Sequence, residues 1–273
     1  MNNDTIAFIG CGNMGRCLIK GLVADGFPPQ QIHAADPSAE QLERLGADLP
    51  IAVCSDNAEA VKDAEVVVLA VKPQQMRSVA TALAPSLGAN PLVLSIAAGI
   101  RTGDLRRWLG KPAIVRAMPN TPALLQCGAT GLYAGSEVGE DQRETAEAIL
   151  RAAGLTVWVD NEDLLDAVTA VSGSGPAYFF LVMELVENAG VRLGLNREQA
   201  RILTLQTALG SARMAMESGV DPAALRAQVT SPGGTTDRAL AVMGESNLAG
   251  IFDAALEAAS ERAAEMAREF GAD

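Results

Sequence analysis

The sequence has few of the side chains that usually carry acid–base or metal chemistry. Its 273 residues include one histidine, His33, and four lysines, of which Lys111 is the last. The second half therefore offers no histidine or lysine as a general base, which the oxidation of an alcohol usually needs. With one histidine and no Cys-x-x-Cys pair among the four cysteines, a zinc cluster is excluded and we expect no metal.

Net positive charge, a leading basic segment and long apolar runs are missing too. The formal net charge is -12 at pH 7, which argues against a nucleic-acid or anionic-membrane partner. No uninterrupted apolar run approaches the ~18 residues of a membrane-spanning helix. A strand candidate begins by Thr5, which leaves no room for a signal peptide. We therefore expect a cytoplasmic protein that binds neither membranes nor nucleic acids.

The most informative segment is a strand, a glycine turn and a helix in immediate succession. The apolar run Ile6–Ile9 leads into Gly10-x-Gly12-x-x-Gly15, and an apolar helical pattern follows. In such a motif the first glycine permits the sharp turn and the second lets the backbone approach a pyrophosphate. The third lets the helix pack close to the strand, and the helix start presents N–H groups to the phosphates. The segment predicts dinucleotide binding, and Cys11 within it is expected to be a small buried filler.

Strand and helix patterns alternate through the first half. This alternation predicts an α/β fold with an N-terminal doubly wound, Rossmann-type parallel sheet. After about Asn161 the strand patterns disappear, which predicts an all-helical C-terminal domain. We therefore divide the chain into a dinucleotide-binding domain, residues 1–162, and a helical substrate and dimerisation domain, residues 163–273. The strand candidates are Ile6–Ile9, Ile32–Asp36, Ile51–Val53, Val66–Val71, Leu92–Ile96, Ile114–Ala117, Thr130–Tyr133 and Thr156–Val159.

The helical half carries more apolar surface than it has room to bury. The candidate helix Pro176–Leu193 is apolar over a broad arc, and Leu203, Leu205 and Leu209 repeat this on the next helix. A unit of ~110 residues buries only part of such surface internally. A second copy of the chain would cover the rest through the same surface on both subunits. We expect a homodimer, with assembly beyond the dimer left open.

Further candidate ligand-binding residues follow the predicted strands. Asp36 ends the second strand, where an acidic residue bonds the ribose 2′-hydroxyl of NAD and repels the 2′-phosphate of NADP. A simple turn residue is the alternative there. The segments Ala70–Pro73 and Ser95–Gly99 end central strands, at the edge where open α/β sheets bind ligands. Asn120, between two prolines, can donate and accept hydrogen bonds, although a rigid turn explains it equally well.

Two segments rich in glycine and hydroxyl groups stand at helix starts in the second half. They are SGSGPAY, Ser172–Tyr178, and SPGGTT, Ser231–Thr236. Glycines at a helix start let backbone N–H groups face a carboxylate directly. Each segment alone can be explained as a helix cap, but two of them in one domain favour a small anionic substrate.

In order and spacing, the segments FIGCGNMG, AVKPQ, SIAAG, MPNTP, SGSGPAY and SPGGTT resemble the pyrroline-5-carboxylate reductase family over nearly the whole chain. The resemblance implies NAD(P)H-dependent reduction of 1-pyrroline-5-carboxylate to L-proline, the last step of proline biosynthesis. It also implies that the SPGG backbone holds the substrate carboxylate and that Thr236 bonds the ring nitrogen as the catalytic residue. Beside Asp36, the implied cofactor-binding residues are Ile9, Gly10, Cys11, Gly12, Asn13, Met14, Ala70, Val71, Lys72, Pro73, Ile96, Ala97 and Ala98. The candidate substrate-binding residues are Asn120, Pro176, Ser231, Pro232, Gly233, Gly234, Thr235 and Thr236.

Two other functions fit part of the sequence. A β-hydroxyacid dehydrogenase shares the glycine motif and a helical second domain, but it needs a catalytic lysine that this domain lacks. A non-catalytic NAD(P) sensor on the same fold would not need the hydroxyl-rich helix starts. Reduction of a protonated imine requires orientation and a hydrogen bond at nitrogen, since the imine is already electrophilic.

The cofactor is expected to be NADPH or NADH. Many members of the family have hydroxyl or basic residues near position 36 for a 2′-phosphate. This chain has Asp36 there instead, which favours NADH.

Overall fold

The computed structural model describes residues 4–110 and 112–271 and divides into two compact units. The first unit is the chain up to Ser174 together with the segment from Ala258 onwards, and the second is Gly175–Glu257. The first unit extends past residue 162 because the helix that follows packs on the sheet. A Cβ atom at Gly131 would lie 2.6 Å from Cγ1 of Val168 in that helix. The domain boundary after residue 162 stays a prediction.

An eight-stranded sheet forms the centre of the first unit. The strands are β1 (Ile6–Ile9), β2 (Ile32–Ala35), β3 (Ala52–Cys54), β4 (Val66–Leu69), β5 (Leu92–Ser95), β6 (Ala113–Met118), β7 (Gly128–Ala134) and β8 (Gly154–Trp158). Their spatial order is β3-β2-β1-β4-β5-β6-β7-β8, and β1 to β6 are parallel. This confirms the predicted doubly wound α/β fold.

The last two strands run opposite to the other six, which the sequence did not predict. β7 pairs antiparallel with β6, and β8 pairs parallel with β7. The chain between β6 and β7 contains only the 3-10 turn Thr121–Leu125. A parallel neighbour needs a crossover of a dozen or more residues, so this short connection returns the chain antiparallel.

Helices cover both faces of the sheet. In chain order they are α1 (Asn13–Ala24), α2 (Ala39–Asp48), α3 (Asn57–Val61), α4 (Pro73–Leu83), α5 (Thr102–Leu109), α6 (Glu140–Arg151) and α7 (Leu164–Val168). Their starts have local causes: the Ser38 hydroxyl accepts a hydrogen bond from the backbone N–H of Gln41, and Pro73 opens α4. The last of them, α7, is a short helix, and a π turn over Thr169–Gly173 follows it directly.

The strands are buried from both sides. In β1, Ile6 and Phe8 belong to the core on one face, and Ala7 and Ile9 belong to the core on the other. All four side chains are buried, as in a central strand of a parallel sheet. The carboxyl ends of β1 and β4 are therefore held rigidly, which fixes the loops that follow them.

The second unit is helical, as predicted. Its helices are α8 (Gly175–Arg192), α9 (Arg197–Glu217), α10 (Pro222–Gln228) and α11 (Thr235–Glu245), and α12 (Leu248–Gly271) begins in it and ends in the first unit. The Asn196 side chain caps α9 by accepting from the N–H of Gln199 at 2.9 Å. Small residues bring α8 and α9 together, since a Cβ at Gly190 would lie 3.3 Å from Cβ of Ala200.

The second unit leaves large apolar side chains exposed. Phe179 is 66% exposed, Phe180 62% and Leu185 56%, and several residues of α9 are similar. The stretch Leu164–Arg192 is also long and apolar enough to cross a membrane by length and composition, although polar residues interrupt it. An interface helix of a soluble oligomer meets the same two criteria, because it also has apolar residues on most of its faces.

Candidate active site

The carboxyl ends of β1 and β4 meet where the strand order reverses. β1 lies between β2 and β4: the strands after β1 are added on one side of it as far as β3, and from β4 onwards on the other side. The N–H of Gly10 donates to the carbonyl of Ala35 and that of Ala70 donates to the carbonyl of Ile9, each at 2.8 Å. In open α/β sheets ligands bind in the crevice at such a reversal.

The three glycines of the turn after β1 have different structural roles. Gly10 has φ +98°, and a Cβ there would lie 2.6 Å from the carbonyl oxygen of Ala70. A Cβ at Gly15 would lie 2.4 Å from the carbonyl oxygen of Gly10, so α1 packs directly on the turn. At Gly12 a Cβ would meet no atom of the described residues within 4 Å. Gly10 and Gly15 are required by the fold, whereas Gly12 leaves open space that fits a pyrophosphate against the helix start.

Asp36 braces this turn from the end of β2. Its Oδ2 accepts a hydrogen bond from the N–H of Cys11 at 2.7 Å, and its Oδ1 accepts one from the N–H of Ser38 at 2.8 Å. The carboxylate is half-buried and keeps further acceptor capacity on both oxygens. Its predicted contact with a ribose hydroxyl remains a prediction, and the bond to Cys11 is a second role that the sequence did not indicate.

Cys11 is buried, as predicted. Its Sγ lies 3.6 Å from the carbonyl oxygen of Ala35. Burial raises the pKa of the Cys11 thiol to about 12, with a further contribution from the nearby Asp36 carboxylate. The thiol therefore stays protonated at neutral pH, which suits a filler and not a nucleophile.

The other predicted cofactor residues lie at the same edge of the sheet. Lys72 is exposed at the start of α4, and Asn13 is exposed at the start of α1, where it lines a cavity of 520 Å³ with Arg16 and Lys20. Ile9 is buried in β1, so a ligand would meet this position through its backbone. None of these cofactor contacts is tested, and they stay predictions.

The loop after β5, Ile96–Arg101, has an inner and an outer side. Ala97 and Ile100 are buried, whereas Ile96 and Ala98 are half-buried. In the middle of the loop, Gly99 has φ +71°, and a Cβ there would lie 3.1 Å from Cβ of Met266 in α12. The loop is therefore packed against α12 at Gly99 and against the core at Ile96, and the small residue Ala98 stays partly exposed.

A partly buried ion-pair network lies next to this loop, and the sequence did not predict it. Arg116 is buried in β6, and its Nη1 lies 2.8 Å from Oε1 of Glu162. Arg101, the last residue of the loop, pairs with Asp163 and also with Asp166, whose Oδ2 lies 3.3 Å from its Nη2. The one available signal was the arginine itself, a charge inside the apolar strand sequence AIVRAM.

Asn120 connects two separate segments of the first unit. Its Nδ2 donates to the carbonyl of Ser172 at 3.1 Å, and its Oδ1 accepts from the N–H of Ala129 at 2.9 Å. Both ends of the amide are thus used to hold the turn after β6. The predicted contact with the substrate stays a prediction, while the alternative of a rigid turn accounts for both hydrogen bonds.

The SPGGTT segment opens α11 in the second unit. Gly233 has φ +71° and donates its N–H to Oδ2 of Asp237 at 2.9 Å, and Gly234 donates to the carbonyl of Ser231 at 2.9 Å. Thr236 is half-buried at the second position of the helix, and Asp237 and Arg238 follow it directly. Asp237 therefore occupies one of the donors that a substrate carboxylate would use. Pro176 lies in the first turn of α8.

Together these features define a class of protein: an α/β dinucleotide-binding oxidoreductase with a helical second unit. The family model for NADP oxidoreductase, coenzyme F420-dependent, matches residues 5–99. The family model for pyrroline-5-carboxylate reductase dimerisation matches residues 162–266. The chain belongs to the pyrroline-5-carboxylate reductase family, because relatives match it over its whole length.

Several of these relatives carry the same name. The pyrroline-5-carboxylate reductase of Pseudomonas aeruginosa is 54% identical over 99% of this chain and 100% of its own. The pyrroline-5-carboxylate reductase of Vibrio alginolyticus is 43% identical over 99% of this chain and 100% of its own. The structure of the Coxiella burnetii enzyme has a TM-score of 0.94 and 46% identity, covering 97% of this chain and 99% of its own. The crystal structure of the Plasmodium falciparum pyrroline carboxylate reductase with NADP bound has a TM-score of 0.86 and 30% identity, covering 98% of this chain and 99% of its own.

Proposed function

We propose that the chain reduces 1-pyrroline-5-carboxylate to L-proline with NADPH or NADH, as a homodimer in the cytoplasm. The observation that carries this proposal is the SPGGTT helix start, in a half of the chain that has no lysine or histidine. Such a site suits a substrate that needs orientation and a hydrogen bond, and not a base. The matched dimerisation model supports the dimer. Four free cysteines suit a reducing compartment.

Separate segments of the chain bind the cofactor, bind the substrate carboxylate and orient the substrate ring. The turn at Gly12 and the start of α1 hold the pyrophosphate, and the bound dinucleotide supplies the hydride. The backbone from Ser231 to Gly234 holds the substrate carboxylate, which takes over the Gly233 N–H from Asp237. Thr236 Oγ1 hydrogen-bonds the ring nitrogen and so fixes the face of the C=N bond that is exposed to the hydride.

A steady-state assay with 1-pyrroline-5-carboxylate and each of the two cofactors tests the proposal. The reverse reaction, proline-dependent reduction of NAD⁺ or NADP⁺ at high pH, should also be measurable. A β-hydroxyacid dehydrogenase would instead reduce the cofactor with a hydroxy acid. A sensor would bind the dinucleotide and turn over neither substrate, so either of these two results would overturn the proposal.

Thr236→Val is expected to lower kcat/KM for 1-pyrroline-5-carboxylate roughly tenfold to a hundredfold. The reason is the loss of a hydrogen bond to a charged nitrogen, worth ~1.5–3 kcal/mol. Thr236→Ser keeps the hydroxyl and should stay within about threefold of the native value. Unchanged kcat/KM in a folded Thr236→Val variant would contradict the role of the hydroxyl.

Asp36→Ser is expected to raise the ratio of NADPH to NADH efficiency. The carboxylate repels a 2′-phosphate, and the next basic residue along the chain, Arg44, already pairs with Glu40 at 2.6 Å. Asp36→Asn is the matched control, because it separates the charge of Asp36 from its hydrogen bond to Cys11. The amide oxygen of asparagine can still accept from the Cys11 N–H, but the negative charge is gone. Both variants should shift the ratio in the same direction. A native enzyme that already prefers NADPH by about tenfold or more would contradict this prediction.

A further inference from the structure

The carboxylate of Glu162 stands at the start of α5 and bonds Thr102 twice. Its Oε1 accepts from the backbone N–H of Thr102 at 2.7 Å, and its Oε2 accepts from the Thr102 hydroxyl at 2.9 Å. Oε1 also faces Nη1 of Arg116 at 2.8 Å. A residue just beyond the sheet thus fixes the first residue of a helix that lies sixty positions earlier in the chain.

Thr102 is also the point at which the loop Ile96–Arg101 ends. The loop begins at the carboxyl end of β5, where the N–H of Ile96 donates to the carbonyl of Leu69 in β4 at 3.1 Å. Its middle is packed against α12 at Gly99, and its end is held by Glu162 through Thr102. Arg101 pairs with Asp163 and Asp166, the two acids that follow Glu162 in the sequence. The loop is therefore fixed at both ends and behind, Ile96 packs against the core, and Ala98 stays partly exposed.

The ion pair between Glu162 and Arg116 is partly buried, so water is a poor replacement for the lost partner if Glu162 is changed. Arg116 is 5% exposed, so its guanidinium has little access to water and uses the Glu162 oxygen at 2.8 Å as a hydrogen-bond acceptor. Replacing Glu162 by an apolar side chain removes that acceptor from Arg116 and leaves the Thr102 N–H without the acceptor it has at 2.7 Å. The side chains then rearrange, and the end of the loop moves with them.

We propose that Glu162 is a positioning residue for the dinucleotide. Through Thr102 it holds the loop Ile96–Arg101 in the conformation that receives the nicotinamide end of the cofactor. This inference rests on the proposed function, because it requires that the chain bind NADPH or NADH. Glu162 does not touch the reacting atoms in this proposal; it acts through the loop.

The test is a fluorescence titration of NADPH and NADH, without substrate, into the native protein and its variants. Glu162→Met removes every acceptor at similar length, and we expect Kd to rise about tenfold for the preferred cofactor. Glu162→Gln keeps an acceptor oxygen and an amide that can bond the Thr102 hydroxyl, so its Kd should stay within about threefold. At saturating cofactor, kcat should change less than KM for the cofactor.

Glu147→Met is the matched control. Glu147 is also an acid with several partners: its Oε2 accepts from Trp158 Nε1 at 2.9 Å and its Oε1 from Arg151 at 3.0 Å. It ties α6 to β8 and not to the loop, so its loss should lower the melting temperature and leave Kd unchanged. Thr102→Val is a milder second variant, should Glu162→Met fail to fold. It removes one hydrogen bond to Glu162, and Thr102→Ser should restore the native Kd.

The outcomes separate the two proposals. A native protein that binds neither dinucleotide refutes the proposed function, and this inference with it. A native protein that binds, with equal Kd in the Glu162 and Thr102 variants, overturns the positioning role alone. An equal rise of the cofactor Kd in Glu162→Met and Glu147→Met also overturns the positioning role, because the effect would then be a general loss of stability. A rise of Kd that is confined to Glu162→Met and Thr102→Val supports the positioning role.

Discussion

Gly12→Val is expected to fold like the native chain and to lose dinucleotide affinity by at least about a hundredfold. The backbone at Gly12 has φ −63° and ψ −173°, which any residue adopts, and within the part of the chain that the structure describes a Cβ there meets no atom within 4 Å. The substitution therefore costs the fold little. The open space is where the turn would admit a pyrophosphate, and a side chain there keeps the phosphates away from the N–H groups of α1. A loss of ~2.7 kcal/mol corresponds to a hundredfold change in Kd.

Gly139→Val provides the control, because Gly139 also precedes a helix with an extended backbone, φ −76° and ψ 170°, and with open space around it. Its melting temperature and its Kd should both stay near the native values. Gly15→Ala should show the opposite pattern to Gly12→Val, since its Cβ would meet the Gly10 carbonyl oxygen at 2.4 Å and destabilise the protein. Native-like Kd in Gly12→Val would show that the phosphates do not lie at this turn.

The fold was largely predictable because its elements have strong local causes. The run Val66–Leu69 is uniformly apolar and became the buried strand β4, and the helix starts at Pro73 and after Asn196 follow their capping residues. The direction of a strand could not be predicted in this way, because an apolar run has the same pattern in a parallel and in an antiparallel strand. The antiparallel entry of β7 is decided by the length of the connection Thr121–Leu125.

The sequence could indicate candidate site residues only where they are neighbours in the chain, and their ligand contacts stay predictions. The three glycines, Asp36 and SPGGTT each belong to a short segment whose spacing indicates its role. Glu162 and Arg116 are 46 residues apart, and only the packing of the sheet brings them together. Local spacing cannot indicate a pair of this kind, nor the bond from Cys11 N–H to Asp36 across 25 residues.

In the helical unit, the sequence predicted the amount of apolar surface better than its position. The sequence indicated an excess of apolar surface, and the structure locates it on α8 and α9. From this excess the sequence predicted a homodimer, but the apolar pattern alone does not say which residues of the partner cover it. The dimerisation model that matches residues 162–266 favours the second subunit.

Leu205→Asp is expected to split the dimer and abolish activity. Leu205 is 46% exposed on α9, within the region matched by the dimerisation model. In a two-fold interface the change occurs twice, and each copy loses apolar burial of ~1.5–3 kcal/mol and gains a carboxylate that must be desolvated. A weakening of at least about 4 kcal/mol raises the dimer dissociation constant about a thousandfold. Sedimentation at micromolar concentration should show monomers near 28.3 kDa, or insoluble protein.

Val53→Asp is the control for charge on an exposed apolar residue, because Val53 is 45% exposed in β3, outside the matched dimerisation region. It should remain dimeric and keep activity within about threefold. Dilution of the native protein gives a second test without mutation: specific activity should fall as the dimer dissociates, and a cross-linked dimer should resist that loss. A fully active monomer, either native or Leu205→Asp, would contradict the prediction. It would mean that the exposed leucines of α9 do not need a second subunit for function.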